Sequence, residues 1–213
     1  MKRMSSEEGL YTVEEYLAFE RATELKHEYI SGEVVAMAGA TREHILITGN
    51  IAQRLRNQLE GKPCETYTND MRVRATPTTY VYPDVVVVCD EPKFEDLEFD
   101  ILLNPTVVIE VLSKSTEARD RGEKFSEYRA NKNVKEIVFV SQHRPRVEQY
   151  IRQQNDKWVF HDVTELAGVI TLDSIGCTLN LAEIYERIQF PPPRQLEALR
   201  AMPNESSISH SDV

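Results

Sequence analysis

The stretch Thr106-Val107-Val108-Ile109-Glu110-Val111-Leu112-Ser113 decides how this chain folds. Apart from Glu110, the run from Val107 to Leu112 is entirely aliphatic, and it ends in the polar loop Ser113-Lys114-Ser115-Thr116. It reads as a buried strand. Side chains alternate along a strand, so Glu110 shares a face with Val108 and Leu112. An isolated charge on that face would cost several kcal/mol or stay protonated. Glu110 therefore needs a partner, and the sequence offers a second acid in the same setting. In Val81-Tyr82-Pro83-Asp84-Val85-Val86-Val87-Val88, Asp84 opens another nearly continuous apolar strand. Two such strands lying side by side would bring the carboxylates together. Close carboxylates repel unless a cation intervenes, and Mg²⁺ or Mn²⁺ takes this kind of hard oxygen ligand. Each acid taken alone has a plainer reading: Asp84 as the cap of a turn, Glu110 as a residue of a half-exposed strand.

Moving outward, Thr12-Val13-Glu14-Glu15 fits a capping box that opens a helix over 12–22. Residues 26–37, "KHEYISGEVVAM", read as a hairpin turning at Ser31-Gly32. Thr41 caps a helix over 42–60 on which Ile47, Ile51, Leu55 and Leu59 recur at helical spacing, with Gly61 and Pro63 ending it. Residues 66–75 read as extended, and the acidic stretch 90–103 as a loop or short edge element. Asp120-Arg121-Gly122-Glu123 has a capping pattern for a helix to about 132. Three strands, "EIVFVS", "RVEQYIR" and "KWVFHDV", and a last helix, "LNLAEIYERI", follow. The expectation is one α/β (α+β) domain over 11–190, a mixed sheet flanked by helices, between a flexible N-terminus (1–10) and a polar tail (191–213) that begins with three prolines.

The order "YPDVVVV", "VVIEVLSKST", "DRGEKFSEYR", "EIVFV", with the segment "HEYISGEVVAMAGATREHILITGNI" ahead of it, resembles the Uma2 family over about residues 10–190. That family is placed among the PD-(D/E)xK nucleases, and the resemblance implies a restriction-endonuclease-like fold. It implies Mg²⁺ (or Mn²⁺) held by Asp84, Glu110 and the main-chain carbonyl of Val111, and metal-dependent cleavage of a nucleic acid, by resemblance DNA. The motif's lysine belongs two residues after the acid, where this chain has Leu112. The resemblance suggests that Lys124, from the following helix, replaces it, with Lys114 the second choice; the plainer reading of Lys124 is an i,i+4 surface partner, for example to Asp120 or Tyr128. It also suggests Glu28 as a third acid near the site; the plainer reading of Glu28 is a cross-strand pair with a basic neighbour such as Lys26 or Arg72. His44 shares a helix face with Ile47, Ile51 and Leu55, so it points inward, either as a satisfied structural residue or as a water orienter or proton carrier beside the metal. Lys114, Arg119 and Arg121 are candidates for phosphate contacts that position the substrate without reading its sequence.

Composition sets the outer bounds. The chain has 213 residues, 41% hydrophobic and 28% charged, an ordinary globular balance. No apolar run approaches the roughly 20 residues that span a bilayer, and no secretory h-region follows the start, so the expectation is a cytoplasmic protein with no membrane partner. A net charge of −10 argues against broad, non-specific nucleic-acid binding. The charge is uneven: residues 90–100 hold six acids and one lysine, whereas 114–135 hold seven Lys/Arg and four acids. Cys64, Cys89 and Cys177 show no CxxC spacing, and three reduced, mostly buried thiols are expected. Two other readings stay open: a hydrolase of another phosphate ester, and a non-catalytic module on the same fold, with a homodimer through the sheet edge at 146–152 and 157–163.

Overall fold

The computed structural model describes residues 3–4 and 10–190. A central six-stranded sheet carries the site. Its order is β12 (Trp158–Val163), β11 (Val147–Arg152), β10 (Glu136–Ser141), β9 (Val107–Leu112), β7 (Val85–Cys89), β4 (Cys64–Thr68). β9 and β10 run parallel, and every other neighbouring pair is antiparallel. All six residues of β9 are buried, as the unbroken apolar run requires. The two faces separate by alternation. Val107, Ile109, Val111, Val85 and Val87 pack with Ile47, Ile51, Leu55 and Leu59 of α2 (Arg42–Leu59) in one core. Val108, Leu112, Val86 and Val88 pack on the other side with Tyr128, Ile137 and Phe139. Glu110 falls on this second face.

A second six-stranded sheet closes over that face, in the order β1 (Arg3–Met4), β3 (Glu33–Ala36), β2 (His27–Ile30), β6 (Thr79–Val81), β5 (Arg72–Thr76), β8 (Ile101–Leu102). Val73, Ala75 and Val81 join its inner surface to the central sheet. α1 (Val13–Ala22) covers its other side through Tyr16, which stacks on Tyr29. Thr12 and Glu15 form the capping box. The hairpin turn runs through Ser31 and Gly32 at positive φ, and a side chain at Gly32 would collide with Leu10.

Several expectations need correction. The helix expected to open at Asp120 begins earlier, as α3 (Glu117–Arg119), passes through a π-helical turn over Asp120–Lys124 and continues as α4 (Phe125–Ala130). Asp120 is therefore a buried interior residue rather than a cap. The last helix shrinks to α5 (Leu181–Ile184), because Leu179 and Asn180 belong to an unforeseen hairpin, β13 (Val169–Leu172) with β14 (Cys177–Asn180). Ile170, Leu172, Cys177 and Leu179 pack against α2, so burial outweighed the helical pattern. Cys64 and Cys89 lie directly opposite one another on β4 and β7 and form a disulfide, leaving only Cys177 as a free thiol. Cross-strand register, invisible in a 25-residue sequence separation, makes that pair. Of the leading segment 1–10, Arg3–Met4 pair with β3; the rest of 1–9 and the tail 191–213 lie outside the described residues. No described helix is long and apolar enough to cross a membrane.

Candidate active site

Antiparallel pairing sets Val85 opposite Ile109, so Asp84, just before β7, arrives beside Glu110 and Val111. The Val111 N–H donates to Asp84 Oδ2 at 2.7 Å, which replaces the next rung of the ladder with a side-chain bond. On the other oxygen, His44 Nε2 lies 2.7 Å from Asp84 Oδ1. His44 sits in the first turn of α2, where the Thr41 side chain caps its N–H. Burial opposes the charged imidazole, but the Asp84 hydrogen bond and charge outweigh it and raise the His44 pKa.

Lys124 Nζ lies 2.6 Å from Glu110 Oε1, 2.9 Å from Glu28 Oε1 and 3.5 Å from Asp120 Oδ1. The position two residues after Glu110 holds Leu112, a core residue, and the ammonium arrives from the helix instead. The π-helical turn helps: the Phe125 N–H bonds the Asp120 carbonyl, and Asp120 and Lys124 both face inward. Burial alone would favour the neutral amine, but Glu110 and Glu28 outweigh it and hold Lys124 protonated. Glu110 is pushed up to about 8 by burial, with Asp120, Asp84 and Glu28 adding repulsion and Lys124 opposing them. Asp120 is raised too, chiefly by burial.

Glu28, on β2 of the second sheet, accepts from the Tyr82 N–H at 3.3 Å and pairs with Arg119 NH1 at 3.1 Å as well as with Lys124. None of the three Arg119 guanidinium nitrogens makes a hydrogen bond of good geometry to a described residue. Asp84, Glu110, Val111, His44, Glu28, Lys124, Arg119 and Asp120 all line one cleft of about 360 Å³.

The other two basic candidates stand apart. Lys114 is exposed, in the turn between the cleft residues Ser113 and Ser115. Arg121 points away from the cleft, pairs with Glu148 and Glu117, and stacks on Phe139. Sequence reasoning missed Tyr128, whose hydroxyl donates to Glu110 Oε1 at 2.6 Å. It also missed Asp120 as an inward acid. The spacing Asp120, Lys124, Tyr128 was a signal that all three share one helix face.

Four carboxylates (Glu28, Asp84, Glu110, Asp120) thus face Lys124, Arg119 and His44, and Lys26, itself paired with Asp70, lines the same cleft. Among the described residues no three His, Cys, Asp or Glu side chains converge as a ready metal cage. The donor set nevertheless suits a hard divalent cation: two carboxylates with a main-chain carbonyl, the remaining positions falling to water and substrate oxygens.

The fold matches the crystal structure of "a putative nuclease belonging to DUF820" from Anabaena variabilis, with a TM-score of 0.71 and 16% identity, covering 84% of this chain and 99% of that one. This places the chain in the restriction-endonuclease-like fold. Two uncharacterized proteins of Synechocystis sp. are similar in sequence. One, slr1290, is 33% identical over 178 residues, 83% of this chain and 92% of its own length. The other, sll1609, is 35% identical over 160 residues, 75% of this chain and 89% of its own length. Residues 13–182, nearly the whole described domain, match the model of a family described as "Putative restriction endonuclease", and on that match the chain belongs to the Uma2 family.

Proposed function

We propose that the cleft hydrolyses phosphodiester bonds, in DNA, with a divalent cation, Mg²⁺ or Mn²⁺. The observation that carries this reading is the contact of Lys124 with Glu110 beside an anchored Asp84, in a cleft lined by four carboxylates. Asp84, Glu110 and the Val111 carbonyl would hold the cation. When bound, it would acidify the attacking water and withdraw charge from the phosphate. Asp84 is positioned for this by two donors, the Val111 N–H and His44. Lys124 lies where it can stabilise the charge that develops on the phosphate oxygens as water adds and the ester oxygen departs. Glu28 keeps Lys124 protonated and close. His44 is placed to orient water or to carry the proton that water gives up. Arg119, ion-paired with Glu28 and Glu123, is the phosphate contact in the cleft, and Lys114 at its mouth is a second.

The test is a cleavage assay on supercoiled, linear and single-stranded DNA with Mg²⁺ or Mn²⁺, run beside Asp84→Ala, Glu110→Ala and Lys124→Ala. Metal-dependent cleavage that each variant loses is expected. Equal activity in wild type and variants would overturn the assignment. For assembly, we infer a homodimer through the exposed edge strand β12, where Val159 and Phe160 are about half exposed. A monomeric mass in solution would overturn that part alone.

A further inference from the structure

Tyr128 is fully buried beneath the cleft, in the core with Val86, Val108 and Leu112. Its hydroxyl is the polar exception in that layer, and it ends on Glu110 Oε1 at 2.6 Å. Lys124 makes its nearest approach to the same oxygen, also at 2.6 Å. Both groups therefore come closest to Oε1, and Oε2 accepts no hydrogen bond from a described residue. Glu110 itself lines the cleft, so a carboxylate held by one oxygen offers the other outward.

The two donors differ in kind. Lys124 sits on a flexible four-carbon stem and is shared among Glu28, Glu110 and Asp120, so it can follow a phosphate without losing all its partners. Tyr128 is a rigid ring clamped by the core, with a hydroxyl that burial and Glu110 keep protonated. It cannot reach substrate.

We propose that Tyr128 is a positioning residue that fixes the Glu110 carboxylate by its Oε1, so that Oε2 is presented to the metal whether or not Lys124 is in place. The proposal rests on the metal-dependent reading of the site. Partners of this kind, one bond behind the ligand, commonly change metal affinity or activity by about 10–100-fold.

The experiment measures Mn²⁺ binding by isothermal titration, and separately kcat and KM for cleavage, in wild type, Tyr128→Phe and Lys124→Met. Tyr128→Phe keeps the ring and the packing and removes only the hydroxyl. The expected result is an Mn²⁺ Kd raised about 10-fold with KM for DNA little changed. Lys124→Met should lower kcat while leaving the Mn²⁺ Kd within about threefold of wild type, because Tyr128 still holds Glu110. Wild-type Mn²⁺ affinity in a folded Tyr128→Phe, with or without a lower melting temperature, would reduce Tyr128 to a core residue and overturn the proposal, while the metal reading survived. No Mn²⁺ binding by the wild-type protein would overturn both. If Tyr128→Phe does not fold, Tyr128→Met, which also removes the donor, serves in its place: loss of Mn²⁺ affinity smaller than that of Glu110→Gln supports the positioning role, and unchanged affinity overturns it.

Discussion

Two buried acid–base clusters lie on the same helical segment and differ in their charge balance. Around Lys124, four carboxylates share two permanent cations at the edge of a cleft. Around Arg121, a single buried carboxylate, Glu148, is gripped from both sides: Arg121 NH2 lies 3.0 Å from Oε1 and Arg146 Nε 2.8 Å from the same oxygen. Arg121 also stacks on Phe139, and Arg146 reaches on to Asp162 at 3.0 Å. A buried carboxylate kept for structure is fully compensated, as the cost of burying charge demands. The cluster in the cleft is left under-compensated, which lowers stability and favours an incoming cation. Within one turn of helix, three residues apart, the chain uses a cation in each way.

That contrast can be broken by substitution. The largest effect should come from Glu110→Gln, which is expected to lower metal-dependent cleavage by at least about 100-fold. In the absence of metal and above about pH 8, where Glu110 carries its charge, the variant's urea-unfolding free energy should be unchanged, or raised by up to about 1 kcal/mol, because an under-compensated buried charge is gone. The mirror experiment is Glu148→Gln. Removing one partner of a buried pair leaves two guanidiniums facing each other, and the unfolding free energy should fall by about 2 kcal/mol. That is below the roughly 3–5 kcal/mol usual for a fully buried pair, because both arginines are partly exposed to water. Cleavage per folded molecule should change little. Equal destabilisation by the two substitutions would remove the distinction drawn between the clusters.

A smaller effect concerns pH. Glu110 holds its proton more tightly in the folded chain than in the unfolded one, its pKa rising from 4.5 to about 8. The folded state therefore binds more protons between those values, and this contribution to stability is present at low pH and lost as pH rises through about 8. Metal-free protein should lose stability over that window by chemical denaturation, and Glu110→Gln should flatten the curve. An unchanged slope in the variant would mean that another group governs the dependence.

Much of this was legible in the chain. Apolar runs with one acid each marked β7 and β9, since a strand buried on both faces leaves little room for polar residues. Thr12 and Thr41 marked their helices, because a cap needs only neighbours along the chain. Asp84, Glu110 and His44 stood out as polar residues in apolar settings, and the family resemblance added Glu28 and Lys124.

Register and side-chain direction were decided elsewhere. Whether Lys124 or Arg121 faced the cleft depended on a π-helical turn and on which acid each helix face met across the sheet. The link between Cys64 and Cys89 depended on two strands pairing in one register. The role proposed for Tyr128 depends on its hydroxyl ending within reach of one carboxylate oxygen. The sequence by itself determined which residues must be buried and which acids would need partners, because burial and alternation are local rules. Only the tertiary structure decided who those partners are, because a hydrogen bond between residues 18 or more positions apart is set by packing.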